Sequence, residues 1–383
     1  MKVLQTIAGM SASSGGPSTC TLDLMNALYS INAPVDLLTM SSMDSSDTIL
    51  GHGQPWLHTV KYDCKKPFMT SRNFDRTIRD IDYDLYHCNG LWMGVNHSTC
   101  AIARQKGKKY IISPHGMLYP NALRIHYWKK WVLLNLWYNK DIQECSCMHA
   151  TCRQEAEFIR KFGYQGPIAV IGNAVVIPDY VKVATMKPKD KTYIGFLGRL
   201  HPIKRVERIF YGLALCPKDI RDNVTVLIMG EGDKEYETFL HNEVSKLSLR
   251  DNVKFLGFVG GKDKYEKLRK LSALFVPSES ENFGMIVPEA LICGTPVFAS
   301  KGTPWEMLSE YKCGWWKEAS AENISEIITD IVTMQEQEIL NMGQTGREFV
   351  TKKFSPLTIA GRMMYLYKWL YTGGTTPDFI YNL

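Results

Sequence analysis

The sequence predicts an α/β protein built as two doubly wound halves. Short apolar runs of strand length alternate with stretches of helical apolar spacing along nearly the whole chain. A loop of small residues at 11–17 joins the first apolar run to the first helical pattern. The alternation breaks once, at 178–192, and then restarts.

In the first half, strands are expected at 2–8, 35–39, 85–88, 110–113, 147–150 and 168–171. The first helix begins at Thr19, with Leu22, Met25, Leu28 and Tyr29 on its apolar face. Strand, glycine-containing loop and helix together make the usual opening of a Rossmann-like domain. The break at 178–192 carries Lys182, Lys187, Lys189, Asp190 and Lys191 between Pro178 and Thr192 and has no apolar period. It is read as the linker. Strands follow at 193–197, 224–229, 253–256, 274–276 and 296–299, and closing helices at 324–334, 336–350 and 355–371. The expected domains are 1–178 and 192–354. A crossover helix and tail, 355–383, returns to the first domain. Two such domains facing across a cleft would bind their ligands beyond the carboxyl ends of the strands.

The chain has 383 residues, 45% hydrophobic and 22% charged, which suits two globular cores. A net charge of +6 fits phosphate-bearing partners but lacks the dense basic stripe of a nucleic-acid binder. The ten cysteines show no repeating spacing, which points to free thiols in a reducing cytoplasm. No stretch has the ~18 consecutive apolar residues needed to span a bilayer.

Residues 276–300, VPSESENFGMIVPEALICGTPVFAS, carry the strongest signal. A strand runs into a polar loop with Glu281, Asn282, Phe283, Gly284 and Met285. A helix then opens with Pro288 and Glu289 in its first turn. A helix start offers unpaired N–H groups and a positive dipole end to a diphosphate. A carboxylate one turn in can accept both hydroxyls of a ribose. Residues 193–210, YIGFLGRLHPIKRVERIF, place Arg199 and Lys204 after a strand. Arg as a planar fork and Lys as a point charge suit a pyrophosphate and the charge that grows on it as a sugar leaves. Arg205 and Arg208 read as solvated helix-start charges. His115, in a loop between Pro114 and Gly116 after a strand, is a candidate hydrogen-bond partner for a ligand, whereas His87, inside a strand, reads as structural.

GRLHPIK followed by SENFGMIVPEALICGTPVFAS resembles the family 4 glycosyltransferases of the GT-B fold. Their signature joins an arginine-and-lysine segment to two glutamates with seven residues between them. SGGPS at 14–18, YHCNGLW at 86–92, SPHGML at 113–118 and the stretch 149–175 also match, the last three resembling the branch that builds bacterial surface polysaccharides. The resemblance implies a retaining hexosyltransferase, with a UDP-sugar favoured over a GDP-sugar as donor and a glycan or lipid-linked glycan as acceptor. His115, Glu281, Arg199 and Lys204 would be catalytic. Glu289 would hold the ribose, Arg199 and Lys204 the diphosphate, and Glu281 the donor sugar's hydroxyls. Phe283, Gly284 and Met285 would cradle sugar and phosphate, Phe258 and Val259 would flank the base, and Gly16 would approach the phosphates. No cofactor or metal is expected. A nucleotide-sugar epimerase and an inactive nucleotide-sugar binder are the alternatives.

Two departures from the family pattern stand out. Asn282 replaces a usual glycine, tolerable because Asn accepts left-handed angles, and Arg205 replaces the glycine that often follows the lysine. Asp80, Asp82 and Asp84 resemble a metal motif but read as a solvated turn. Cys145, Cys147, His149 and Cys152 fall largely on a buried strand and read as core residues. Residues 124–140 form a basic aromatic helix in which Trp128, Trp131, Leu134 and Tyr138 share one side. Such a helix suits peripheral contact with an anionic membrane at its inner face.

Overall fold

The computed structural model describes residues 1–11, 15–41, 48–66, 68–184, 186–188 and 190–381. Ser14 of the first glycine loop and Lys189 of the 178–192 segment lie outside them. The chain divides into two compact units, one formed by 1–174 with 354–383 and the other by 175–353.

The first unit is built on an eight-stranded sheet among the described residues. Its strands are β1 (Val3–Gly9), β2 (Val35–Met40), β3 (Leu57–Val60), β4 (Leu85–Asn89), β5 (Lys109–Ser113), β6 (Cys147–Ala150), β7 (Ile168–Val170) and, from the end of the chain, β14 (Ile380–Tyr381). Their order is β14-β7-β6-β5-β4-β1-β2-β3. Every pair is parallel except β14 with β7. Leu4, Tyr86, Ile112 and Met148 are buried in its core, as expected for parallel strands covered on both faces.

The helix Gly16–Ser30 starts at Gly15, whose φ of 81° places it in the left-handed region, and carries Pro17 in its first turn. It therefore begins three residues before Thr19, and Gly16 lies in its first turn. Cys20, Leu24, Met25 and Leu28 face inward, whereas Tyr29 is exposed. This helix packs against the helix Pro356–Thr372. That second helix is capped by Ser355 and buries Ile359, Ala360, Met363, Leu366, Tyr367 and Leu370 at helical spacing.

The second unit holds β8 (Thr192–Leu197), β9 (Val224–Met229), β10 (Val253–Phe255), β11 (Ala273–Val276), β12 (Val297–Ser300) and β13 (Gly314–Lys317). They form a parallel sheet of order β10-β9-β8-β11-β12-β13. Its core includes Ile194, Phe196, Phe210, Ile228, Phe275, Phe298 and Ile327. The lysine-rich segment before β8 lies along this unit. Lys187 is buried, and its ammonium donates to the carbonyls of Leu271 (2.6 Å) and Arg269 (3.2 Å). Burial lowers its pKa to about 8.

The basic aromatic segment departs from expectation. A helix at Pro120–Arg124 ends before His126, which sits at φ 53°, and the chain resumes as Tyr127–Leu133, a π-helical turn Leu134–Tyr138 and Asn139–Gln143. The π turn advances the chain by an extra residue and resets the faces. Tyr138 is therefore buried, donating to the Met93 carbonyl at 2.6 Å, while Trp128 and Trp131 are exposed. The four residues do not share one side. Asp141 is buried between Arg104 (2.7 Å) and His97 (2.8 Å), and His97 stacks on Trp137, which anchors this helical stretch to the unit.

Candidate active site

In the second unit the expected residues gather at the carboxyl ends of β8 and β11. After β8, Gly198 and Arg199 lead into a short 3-10 turn, Pro202–Lys204. Close backbone approach fixes this loop: a Cβ on Gly230 would lie 1.9 Å from the Gly198 carbonyl, so only glycine fits there. Leu200 N–H donates to Glu231 O at 3.0 Å. Arg199 is exposed and pairs with no carboxylate among the described residues. The Lys204 ammonium donates to Glu281 Oε1 at 2.5 Å, and Ser278 Oγ donates to the same oxygen at 2.8 Å. The Arg199 loop and the Glu281 loop are also joined through the backbone, Glu279 N–H donating to the Ile203 carbonyl at 2.8 Å.

Arg205 and Arg208 are more than solvated charges, although Arg205 stays partly exposed. Arg205 grips Glu279 at 2.6 Å, and Arg208 donates to the Pro277 carbonyl at 3.2 Å, so both tie the β8 loop to the β11 loop. Arg205 sits at φ 52°, so the position needs the left-handed backbone that a glycine would supply freely. Asn282 is not among the left-handed residues; Gly284, at φ 72°, is the one that turns the loop. The loop is held from below by Trp305, whose indole N–H donates to the Phe283 carbonyl at 2.5 Å. Gly284 and Met285 then lead directly into the helix Ile286–Ile292, which carries Glu289 in its first turn.

Glu289 has a partner the sequence did not single out. Lys264, on the helix Gly261–Lys270, donates to Glu289 Oε1 at 2.8 Å. The neighbouring Lys262, Lys267 and Lys270 give this helix the pattern of an ordinary solvated face, so nothing in the sequence marks Lys264. The loop after β10 is fixed by Glu231, which accepts from Phe258 N–H at 3.1 Å. Phe258 is 77% exposed, whereas Val259 is buried.

In the first unit, His115 and Gly116 follow β5 with φ of 49° and 79°. A left-handed non-glycine residue at a strand end is a strain that its surroundings must hold. Glu155 holds it by accepting from Gly116 N–H with one oxygen and from Thr151 N–H (2.7 Å) with the other. His115 Nε2 lies 3.0 Å from Asn89 Oδ1. Burial lowers the His115 pKa to about 3, so the ring is neutral near pH 7. His115, Asn89, His149 and Asn173 line a small cavity that also touches Ile359 and Met363. His87 is buried between Tyr367 and Ser113. Asp84 accepts from Lys2 N–H and Asp82 pairs with Lys108. Cys145, Cys147 and Cys152 are buried free thiols. No group of three or more metal-ligating side chains occurs among the described residues.

Two α/β units, each built on a mainly parallel sheet with polar side chains gathered at its strand ends, define a protein of the doubly wound class. Residues 14–177 match the family described as Glycosyltransferase Family 4, and 181–349 match Glycosyl transferases group 1. The chain belongs to the family 4 glycosyltransferases of the GT-B fold. Among curated relatives, an uncharacterised glycosyltransferase of Methanocaldococcus jannaschii is 36% identical over 130 residues, 33% of this chain and 32% of that one. The gpi3 subunit of phosphatidylinositol N-acetylglucosaminyltransferase of Schizosaccharomyces pombe is 25% identical over 323 residues, 81% of this chain and 67% of that one. The chain spans about a third or less of the length of the first curated relatives it matches. In fold it resembles Anabaena HepE in complex with UDP, with a TM-score of 0.74 at 18% identity over 96% of this chain and all of that one. No described helix is long and apolar enough to cross a membrane.

Proposed function

We propose that the protein transfers a hexose-type sugar, with retention at the anomeric carbon and without a metal ion, from a nucleotide-diphosphate donor to a glycan or lipid-linked glycan. A UDP-sugar is favoured as donor, in keeping with the UDP carried by HepE. The observation that carries the reading is the pairing of Lys204 with Glu281 and of Lys264 with Glu289 beside the helix start at Ile286. The two carboxylates meant for sugar and ribose hydroxyls lie within one side chain of fixed cations. A diphosphate can take the lysines, and its sugar and ribose can take the glutamates.

In the proposed reaction the bond from the anomeric carbon to the phosphate oxygen breaks. A bond to the acceptor oxygen forms on the same face, and the acceptor's proton passes to the departing phosphate. Arg199 and Lys204 stabilise the charge on that phosphate, which is the task a metal performs in other designs. His115, neutral near pH 7, takes a sugar hydroxyl and does not act as acid or base. The first turn holding Gly16 offers backbone N–H groups to phosphate.

The exposed face of 124–140 favours an acceptor presented at an anionic lipid surface. Ile125, Tyr127, Trp128, Trp131 and Leu136 are exposed beside Arg124, Lys129 and Lys140. Sedimentation with anionic vesicles should carry the protein down, and Trp128→Ala with Trp131→Ala should release it; absence of vesicle binding refutes this part.

The donor site is tested by thermal shift with UDP, GDP, ADP and NAD, with and without metal. A ligand at about a hundred times its Kd adds ~2.7 kcal/mol. Stabilisation by one nucleoside diphosphate without metal supports the proposal. No response, or a response to NAD alone, removes it.

A further inference from the structure

Beneath His115 runs a continuous buried hydrogen-bond chain whose direction is set at one end. His149 Nε2 lies 2.8 Å from the carbonyl of Ile171, which can only accept, so the His149 proton is on Nε2. Each later link follows if the rings are neutral. His149 Nδ1 accepts from Ser113 Oγ at 2.7 Å. Ser113 accepts from His87 Nε2 at 2.6 Å. His87 Nδ1 accepts from the Tyr367 hydroxyl at 2.8 Å. That hydroxyl, having given its proton, accepts from Gln5 Nε2 at 2.9 Å. Gln5 Oε1 accepts from Asn89 Nδ2 at 3.0 Å, and Asn89 Oδ1 accepts from His115 Nε2 at 3.0 Å. The rings are neutral because burial lowers all three histidine pKa values, His149 to about 4 and His87 well below its ordinary value.

We infer that Tyr367, on the C-terminal helix, and Gln5, on β1, are positioning residues that hold His115 as the Nε2–H tautomer with a bare lone pair on Nδ1. The inference rests on the reading of His115 as a sugar contact and deepens it. A bare Nδ1 accepts a hydroxyl and repels a phosphate oxygen, so the tautomer assigns His115 to the transferred sugar and not to the diphosphate. The phenol is the link that keeps the amides in one orientation. Without it Gln5 has no fixed acceptor and can turn its amide. Asn89 then turns to match, its Nδ2 faces His115, and the imidazole must carry its proton on Nδ1.

The test uses the full chain labelled with 15N in its histidine rings. Long-range 1H–15N spectra distinguish the two tautomers, and the His115 ring is assigned as the one lost in His115→Gln. In the wild type, His87, His115 and His149 should each show a single Nε2–H form. In Tyr367→Phe, His115 should become a mixture of tautomers while His149, anchored by Ile171, stays unchanged. Gln5→Met should give the same mixture and serves if Tyr367→Phe does not fold. Turnover of the donor should fall about fivefold, the worth of one neutral hydrogen bond, with the Kd for UDP unchanged. An Nδ1–H form of His115 in the wild type overturns the inference. So does a pure Nε2–H form in both variants, or a tautomer mixture with undiminished turnover. Failure of UDP to bind at all would instead remove the donor reading while leaving the tautomer result standing.

Discussion

The two units handle polar chemistry in opposite ways. In the second, the candidate donor site is a set of cation–carboxylate pairs with partly exposed side chains: Lys204 with Glu281, Lys264 with Glu289 and Arg205 with Glu279. In the first, His115 sits on a buried chain of neutral groups, among which His87, Ser113, Gln5 and Tyr367 are essentially sealed from solvent. Ion pairs near the surface are individually weak and exchange partners readily. A buried neutral network is costly to break and holds one arrangement. Under the proposed function, a site that trades its own carboxylates for a diphosphate needs the first kind, and a ring that presents one lone pair needs the second.

The comparison can be broken most sharply at the ionic site. Lys204→Ala or Glu289→Ala should each lower transfer by about 100-fold or more, the worth of a charge-assisted hydrogen bond in a partly buried site, with the melting temperature little changed. Wild-type-like rates in either variant refute the donor-site assignment. Raising the salt concentration should weaken UDP binding by the same logic, while the histidine spectra stay as they are.

Acid should expose the other side. Buried His149 has a folded pKa of about 4, below its unfolded value of 6.5. The unfolded state therefore takes the proton first as pH falls. The stabilisation is complete above about 6.5 and is lost as pH drops towards about 4, at about 1.4 kcal/mol per pH unit for such a ring. Amide exchange between pH 7 and 4.5 should show β4, β5 and β6 losing protection before β8, β9 and β11. Equal loss in both sheets would show that the histidines do not set the acid limit.

Smaller effects sharpen the picture. Lys264→Met should weaken UDP binding a few-fold, about 1 kcal/mol, because Glu289 is left without its cation beside the incoming phosphates. Unchanged affinity by calorimetry would make Lys264 a structural partner of Glu289 alone. Gly284→Ala should cost ~1 kcal/mol in thermal stability, since φ of 72° strains any side chain while the added Cβ meets only ordinary contacts, the nearest at 3.6 Å.

How much of this was legible in the sequence follows from which forces write themselves locally. Parallel strands buried on both faces leave continuous apolar runs, so β1, β4, β5, β6, β8, β9, β11 and β12 are readable within a residue or two at each end. The edge strands β3 and β14 are not: β3 is half exposed, and the two residues of β14 pair only with β7. The Arg199, Lys204, Glu281 and Glu289 set is visible because strand end, loop and helix start are contiguous in sequence. The partners of His115 are invisible for the converse reason. Gln5, Asn89 and Tyr367 lie in three separate parts of the chain, and an apolar helical period explains Tyr367 without any role for its hydroxyl. The π turn at Leu134–Tyr138 defeated the reading of the aromatic helix, since a regular period cannot foresee an inserted residue.

The first unit is assembled from two stretches of chain separated by the whole of the second. During synthesis, β1 to β7 therefore leave the ribosome before the helix and strand that complete their sheet and supply Tyr367. The second unit, continuous in sequence, has all its parts in hand earlier. Final packing of the first unit therefore waits for the second to be synthesised, and His115 can acquire the tautomer inferred for it only after Tyr367 has emerged.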